Sequence, residues 1–398
     1  MTFPSREYRL LALFRFWNVI DLFYPYKALL DQPWADVLPR FIPLFDANSD
    51  AAAYQQTVRE LVATVQDSHG YVSGATTVPR WYPPFRVRFL EGQTVVDFKM
   101  KEARGLRLWD SILAVDGQPI ADYRRARSST IAAATPQSLE LKLHDVMLRG
   151  EKGSRVRLSV RGLDGKTREV SVVRSVAAND SRWEEIGTGL PKRPVYEVLP
   201  GRIGYADLRR LEVAQVDAMF EAVSDTDAVI FDMRGYPRGT AWEIAPRLTE
   251  RKDVVGALFS RPLRDATDFG NEEGTFEPRY TFEQTIPPRR GSVYRGRVVV
   301  LIDASAISQA EHSCLFYEAA APVTFIGMPT AGTNGDVTNL VLPGNLVVGF
   351  TGHDVRHADG RQLQRIGIQP AIRVEPTIRG YAEGRDEIFE AAVEFLKK

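Results

Sequence analysis

The stretch from Val298 to Gly335 limits what this chain can fold into more than any other. It opens with Val298-Val299-Val300-Leu301-Ile302, an apolar run rich in β-branched residues, with a glycine before it and a polar turn after it. Such a run suits a strand buried on both faces. Gln309 to Ala320 has the length and composition of a helix, and Ser308 stands at the turn between them. A serine placed there has its hydroxyl at a helix N-terminus, where aligned peptide dipoles favour negative charge and free N–H groups can receive it. A serine nucleophile and its oxyanion need those surroundings. Ser308-Gln309-Ala310-Glu311 also has the form of a capping box, serine at the cap and glutamate three residues on, which gives Ser308 a second, structural role.

Composition narrows the remaining possibilities. With 398 residues the chain has room for two or three domains and a sizeable core. Its 51 basic residues balance 51 acidic ones, so no global field draws it to nucleic acid or to an anionic membrane. A lone cysteine, Cys314, excludes an intrachain disulfide framework and a thiolate metal cluster. The histidines are His69, His144, His312, His353 and His357, and none sits in a paired metal-ligand motif. No metal and no other cofactor is expected. No apolar run approaches a membrane span, and Arg9, Arg15 and Asp21 interrupt the apolar N-terminus, so no secretory signal is visible. The chain reads as cytoplasmic, or as exported to the periplasm should Met1 not be its natural start.

Taken in order, residues 1–77 read as a helical domain, with helices predicted at Tyr8–Trp17, Trp34–Phe45 and Ala51–Val65. The last runs into Asp67-Ser68-His69-Gly70. Residues 78–175 switch to short alternating strands, with Asp116-Gly117 and Asp164-Gly165 as hairpin signals. Residues 176–202 read as a linker. From Ile203 to the C-terminus an α/β pattern takes over, with Ala228–Asp232 as a buried strand. That strand leads into the glycine-rich turn Asp232-Met233-Arg234-Gly235-Tyr236-Pro237-Arg238-Gly239-Thr240. Backbone N–H groups facing outward from such a turn can cradle an anion. Residues 262–292 are polar and read as a long loop or lid.

The 78–175 segment resembles a PDZ domain of the protease type, with Trp109-Asp110 standing where that family usually has Gly-Asp. PDZ-like domains accept extended peptides as an added strand. Four motifs in this order, Asp67-Ser68-His69, the PDZ-like insert, Asp232-Met233-Arg234 with its glycine turn, and Ser308-Gln309-Ala310-Glu311, resemble the S41 serine peptidases. Within them the likeness is to the tricorn-core-like branch. The tail agrees, with Gly367-Ile368-Gln369-Pro370, Pro376-Thr377 and Gly384-Arg385-Asp386-Glu387 before a closing helix. The resemblance implies a crotonase-like ββα spiral core and a serine peptidase acting on peptides or unfolded protein tails. It further implies Ser308 as nucleophile, His69 as general base, Ser68 as a neighbouring serine that helps orient the site, and the amides of Gly239 and Gln309 as oxyanion hole. The related C-terminal processing peptidases use a lysine downstream of the serine instead, and this chain has no lysine between Lys252 and Lys397.

Three positions depart from the family pattern. Gln364 stands where the tricorn-like branch has a glutamate, Ala371 where an aspartate is usual, and Arg238 where a glycine is frequent in the oxyanion turn. Gln364 is expected to orient the Ser68–His69 pair by hydrogen bonding, without a carboxylate's charge. The alternative is a catalytically weak or inactive relative that binds a peptide or an apolar ligand. Substrate preference and oligomeric state are not legible at this level.

Overall fold

The computed structural model describes residues 3–74, 80–183, 190–263, 278–288 and 291–398. Most of the expected lid, 264–277 and 289–290, and part of the expected linker, 184–189, lie outside the described residues.

Three helices open the chain, α1 (Arg6–Phe23), α2 (Val37–Asp46) and α3 (Ala51–Ala63). Their apolar faces do not close on each other alone. Leu342, Leu346, Val348 and Phe350, from the hairpin of strands Val337–Leu342 and Leu346–Thr351, complete their core. The segment read as a separate domain over 1–77 therefore shares its interior with residues near the far end of the chain. After α3 the backbone turns at Gln66 (φ 53°). Strand Tyr71–Ser73 then pairs antiparallel with Val347–Gly349.

Residues 81–177 form a second body. Strands Phe85–Leu90, Gln93–Lys99, Ser111–Val115, Arg155–Arg161 and Thr167–Val173 lie side by side in that order. Helices α4 (Ile120–Ser128) and α5 (Pro136–Val146) contribute Tyr123 and Leu143 to its core. Trp109 is held at φ 67°, a conformation suited to glycine. Its ring packs against Tyr381, at 5.6 Å between centroids, so it docks this body on the C-terminal region.

The third body carries the mixed six-stranded sheet, in the order Tyr196–Leu199, Ile203–Asp207, Ala228–Asp232, Arg297–Ile302, Val323–Gly327, Ile372–Arg373. All pairs but the first are parallel. The edge strand 196–199 falls inside the expected linker, so that this part of it already belongs to the sheet. Val298, Val300 and Ile302 face one core with α6 (Val216–Val223), α7 (Ala241–Ile244) and α8 (Gln309–Ala320). Val299 and Leu301 face another. Burial on both faces is why that strand is apolar throughout. After the short α9 (Ile378–Ala382), helix α10 (Glu387–Leu396) covers the second face. A strand, Arg279–Thr285, lies within the segment read as a loop, paired with Val255–Pro262.

The sheet fixes where chemistry can occur. Strands 228–232 and 297–302 are adjacent and parallel, so the glycine turn and the Ser308 turn leave the same edge. In open α/β sheets ligands gather at the carboxyl ends of the strands.

Candidate active site

Ser308 joins strand 297–302 to α8 with φ 56° and ψ −116°. A non-glycine residue in this sparsely populated region costs of order 1–3 kcal/mol, and such strain collects at functional sites. The serine nucleophile of a strand–turn–helix elbow sits on such a turn, which presents its hydroxyl above the sheet. Ser308 makes no side-chain capping bond, so its expected second role as a helix cap is not realised. The fully buried Glu311 carboxylate instead accepts hydrogen bonds from Gly332 N (2.7 Å), Thr333 N (2.9 Å) and the Thr330 hydroxyl. Burial pushes its pKa up to about 7 against those bonds.

The loop so anchored joins the two halves of the site. Ser308 N donates to the Thr333 carbonyl at 2.9 Å, and Ser68 N donates to the Thr333 hydroxyl at 3.3 Å. Gly239 has φ +75°, and a Cβ built on it would lie 3.8 Å from Gln309 Nε2, so the glycine turn borders the start of α8. Gln309 is the first residue of that helix, where N–H groups have no intrahelical acceptor. Arg238 ties the turn outward, to the Arg209 carbonyl (3.1 Å) and Glu212 (2.5 Å). Arg234 bridges Asp232 and Asp386, so the Asp-Met-Arg motif staples the turn to the start of α10.

His69 is oriented by residues that sequence reasoning did not single out. The Thr351 hydroxyl donates to Asp67 Oδ1 at 2.8 Å, and its backbone N–H donates to Oδ2 at 2.6 Å. A hydroxyl carries one proton. With that proton on Asp67, Thr351 Oγ1 can only accept from His69 Nδ1, 2.9 Å away. The tautomer is thereby fixed with hydrogen on Nδ1 and the lone pair on Nε2. Nε2 is buried without a hydrogen-bond partner. Burial lowers the His69 pKa below its ordinary value; nearby Asp67 and Asp336 oppose this and Lys142 adds to it. The imidazole is a neutral acceptor at neutral pH.

Two expected residues make no hydrogen bond to the His69 ring. The Ser68 hydroxyl accepts from Ala134 N (2.9 Å) and shares a hydrogen bond with the Ser138 hydroxyl (2.8 Å). Gln364 is fully buried, yet neither amide atom has a hydrogen-bond partner, and its amide lies close to the Tyr24 hydroxyl. The expected hydrogen bond from Gln364 to the Ser68–His69 pair is absent, because Thr351 already occupies His69 Nδ1 and α5 occupies Ser68. The Asp67-Ser68-His69 triplet carried a signal for Asp67. Thr351 carried none, since strand pairing alone brings it to this point.

Aromatic rings gather beside the first turns of α8. His312, one helical turn after Ser308, lies 5.4 Å from Trp242, 5.8 Å from Phe259 and 4.7 Å from Phe316. Phe259 stacks on Phe282 at 4.7 Å, and His353, whose Nδ1 is 3.0 Å from Asp336, closes the row beside both rings. Burial lowers the His312 pKa to about 4. Among the described residues no group of three or more acidic, histidine or cysteine side chains could hold a metal ion. Among them, too, no helix is long and apolar enough to cross a membrane.

Residues 202–374, the sheet with its two turns and the loop between them, match the family model for peptidase family S41. The sheet-bearing part of the chain is thus similar to peptidase family S41. That match supports a serine-type peptidase. Solved structures agree in fold. The chain superposes on mature CPAF complexed with lactacystin with a TM-score of 0.77 at 16% identity, covering 99% of this chain and 98% of that one. It superposes on a putative peptidase from Parabacteroides merdae with a TM-score of 0.57 at 16% identity, covering 99% and 97%. No curated protein sequence matches the chain.

Proposed function

We propose that the chain hydrolyses peptide bonds through an acyl-enzyme on Ser308, with His69 as general base. The observation that carries this reading is the fixed tautomer of His69, which leaves Nε2 as a buried lone pair with nothing to accept. As Ser308 Oγ attacks the substrate carbonyl carbon, His69 Nε2 takes the hydroxyl proton. The carbonyl π electrons move to oxygen, and the amides of Gly239 and Gln309 receive the oxyanion. One such donor supplies roughly 3–4 kcal/mol in the transition state. Asp67, acting through Thr351, stabilises the imidazolium. His69 then returns the proton to the leaving amine, and water attacks the ester by the same route in reverse.

The fold supports the finer architecture as well. Successive parallel strands, with α6 and α8 on one face of the sheet, suit a crotonase-like spiral. We read residues 81–177 as PDZ-like. A cavity of about 410 Å³ lies between strand 111–115 and helices α4 and α5, lined by Ile112, Leu113, Ile120, Leu139 and Leu143 among others. It suits an apolar side chain of an extended peptide. The rings of Trp242, Phe259 and Phe282 favour peptide or protein substrates with a bulky apolar side chain next to the scissile bond.

A non-catalytic, ligand-binding relative is the second reading, favoured by the buried, unpartnered Gln364 amide. A fluorophosphonate probe separates the two. Labelling of the native chain at Ser308, lost in Ser308→Ala, is the expected result. An unlabelled native chain, or a Ser308→Ala variant that still turns over peptides, overturns the assignment.

A further inference from the structure

Helix α5 belongs to the inserted body, yet one of its faces is spent on the candidate active site. From its first turn, Thr135 at the cap donates its hydroxyl to the Ala331 carbonyl at 2.9 Å, and Gln137 Nε2 donates to the Thr330 carbonyl at 2.7 Å. Both acceptors belong to the loop that Glu311 anchors and that receives Ser308 N. One turn further on, the Ser138 hydroxyl meets the Ser68 hydroxyl at 2.8 Å. A second turn brings Lys142, whose Nζ donates to the Ser68 carbonyl at 2.5 Å and to the Ala132 carbonyl at 2.7 Å. The Ser68 carbonyl belongs to the peptide that leads directly into His69.

Resting on the reading of His69 as base, we propose that Lys142 is a positioning residue: it clamps the peptide ahead of His69 and sets a positive charge near the imidazole. The groups facing His69 are Asp67 on its own turn, Lys142 from α5, and Asp336 from the segment after the 330–335 loop. Asp67 and Asp336 both favour the imidazolium, and Lys142 is the cation that opposes them. With its charge in place the imidazole stays neutral, and able to accept a proton, down to a lower pH. Burial lowers the lysine's own pKa to about 8, with Asp67 holding it up, so Lys142 is cationic at neutral pH. As an ammonium donating to two carbonyls it has no lone pair to serve as a base. The lysine is thus a cation that keeps a histidine unprotonated, unlike the downstream lysine base of the related processing peptidases.

Two readouts test this, and they fail separately. The His69 imidazole is followed by NMR against pH in the native chain, in Lys142→Met and in Lys142→Arg, with His69→Gln identifying its signal. The pH dependence of kcat/KM is followed in parallel. In Lys142→Met the His69 midpoint and the acid limb should rise together by roughly one pH unit. At the pH optimum kcat should fall roughly tenfold with KM little changed, as expected for a misplaced base. Lys142→Arg keeps charge and donors and should restore both midpoints. If Lys142→Met fails to fold, Lys142→Gln keeps a donor for the Ser68 carbonyl without the charge and should show the same rise. A His69 midpoint unmoved by loss of the charge overturns the proposal even in a fully active enzyme. A native chain without peptidase activity whose His69 midpoint still follows the lysine overturns the catalytic reading and leaves the positioning role standing.

Discussion

The Thr351 hydroxyl lies 2.9 Å from His69 Nδ1, and because its own proton is committed to Asp67 it serves the imidazole only as an acceptor. An aspartate thus acts on the histidine through a threonine, where direct contact is the more familiar arrangement.

Replacing that threonine gives a direct test. Thr351→Val keeps the shape and removes the acceptor, so the imidazolium loses a charge-assisted hydrogen bond of about 1.5–3 kcal/mol. We expect kcat/KM to fall roughly tenfold to hundredfold, mainly in kcat, with Thr351→Ser close to native. Steady-state kinetics in which Thr351→Val matches the native enzyme would show that the relay is idle.

Ser308 offers a stability signature that a capping serine lacks. Without a cap bond to lose, Ser308→Ala should remove activity and leave stability within about 0.5 kcal/mol of native. Ser308→Gly relieves the positive φ and should be more stable than Ser308→Ala by about 1 kcal/mol in urea unfolding. A glycine variant less stable than the alanine variant would argue against backbone strain at this turn.

Glu311 couples stability to pH. Its folded pKa is about 7 against an ordinary 4.5, so between these values the folded state binds the extra proton and stability contributed at this site falls as pH rises. Buried histidines with lowered pKa values, His144 (about 3) and His312 (about 4), push the opposite way below about 6.5. The measurement is therefore the difference between the native chain and Glu311→Gln. The introduced amide would set an NH2 group against the Thr333 or Gly332 N–H, so the variant should be less stable by about 1–3 kcal/mol. That gap should narrow from pH 4.5 to 7.5, a window that spans the ordinary and the folded pKa of Glu311. A gap constant across this window would mean that Glu311 does not titrate there.

Gln364 is where the structure changes the expectation most. A buried amide without partners costs about 1–3 kcal/mol. Gln364→Met, of similar length, should therefore raise the thermal midpoint and leave kcat near native. A large fall in kcat with KM unchanged would return Gln364 to the catalytic machinery.

What was legible in the sequence was whatever depends on neighbours along the chain. Strand 297–302 and helix α8 could be drawn almost to the residue, because a run buried on both faces must be apolar and the helix begins at once after the turn. The capping box was only half legible: the buried Glu311 carboxylate receives the Ser308 backbone N–H together with Thr330, Gly332 and Thr333, but the Ser308 hydroxyl makes no cap bond. Strand 279–285 was hidden by its polar content, although Tyr280 and Phe282 alternate with polar residues at strand period. Thr351 and Lys142 could not be read at all. One arrives through the pairing of strand 71–73 with 347–349, and the other on a helix of the inserted body.

The strand pairing that delivers Thr351 also sets a schedule. His69 is made before the hydroxyl that fixes its tautomer, which follows 282 positions later. Until the hairpin of residues 337–351 has left the ribosome and closed over the N-terminal helices, the histidine has no defined proton acceptor and Asp67 has no hydroxyl to hold. The nascent chain thus carries an imidazole that cannot yet be aimed, and its orientation waits on a strand pairing far along the sequence.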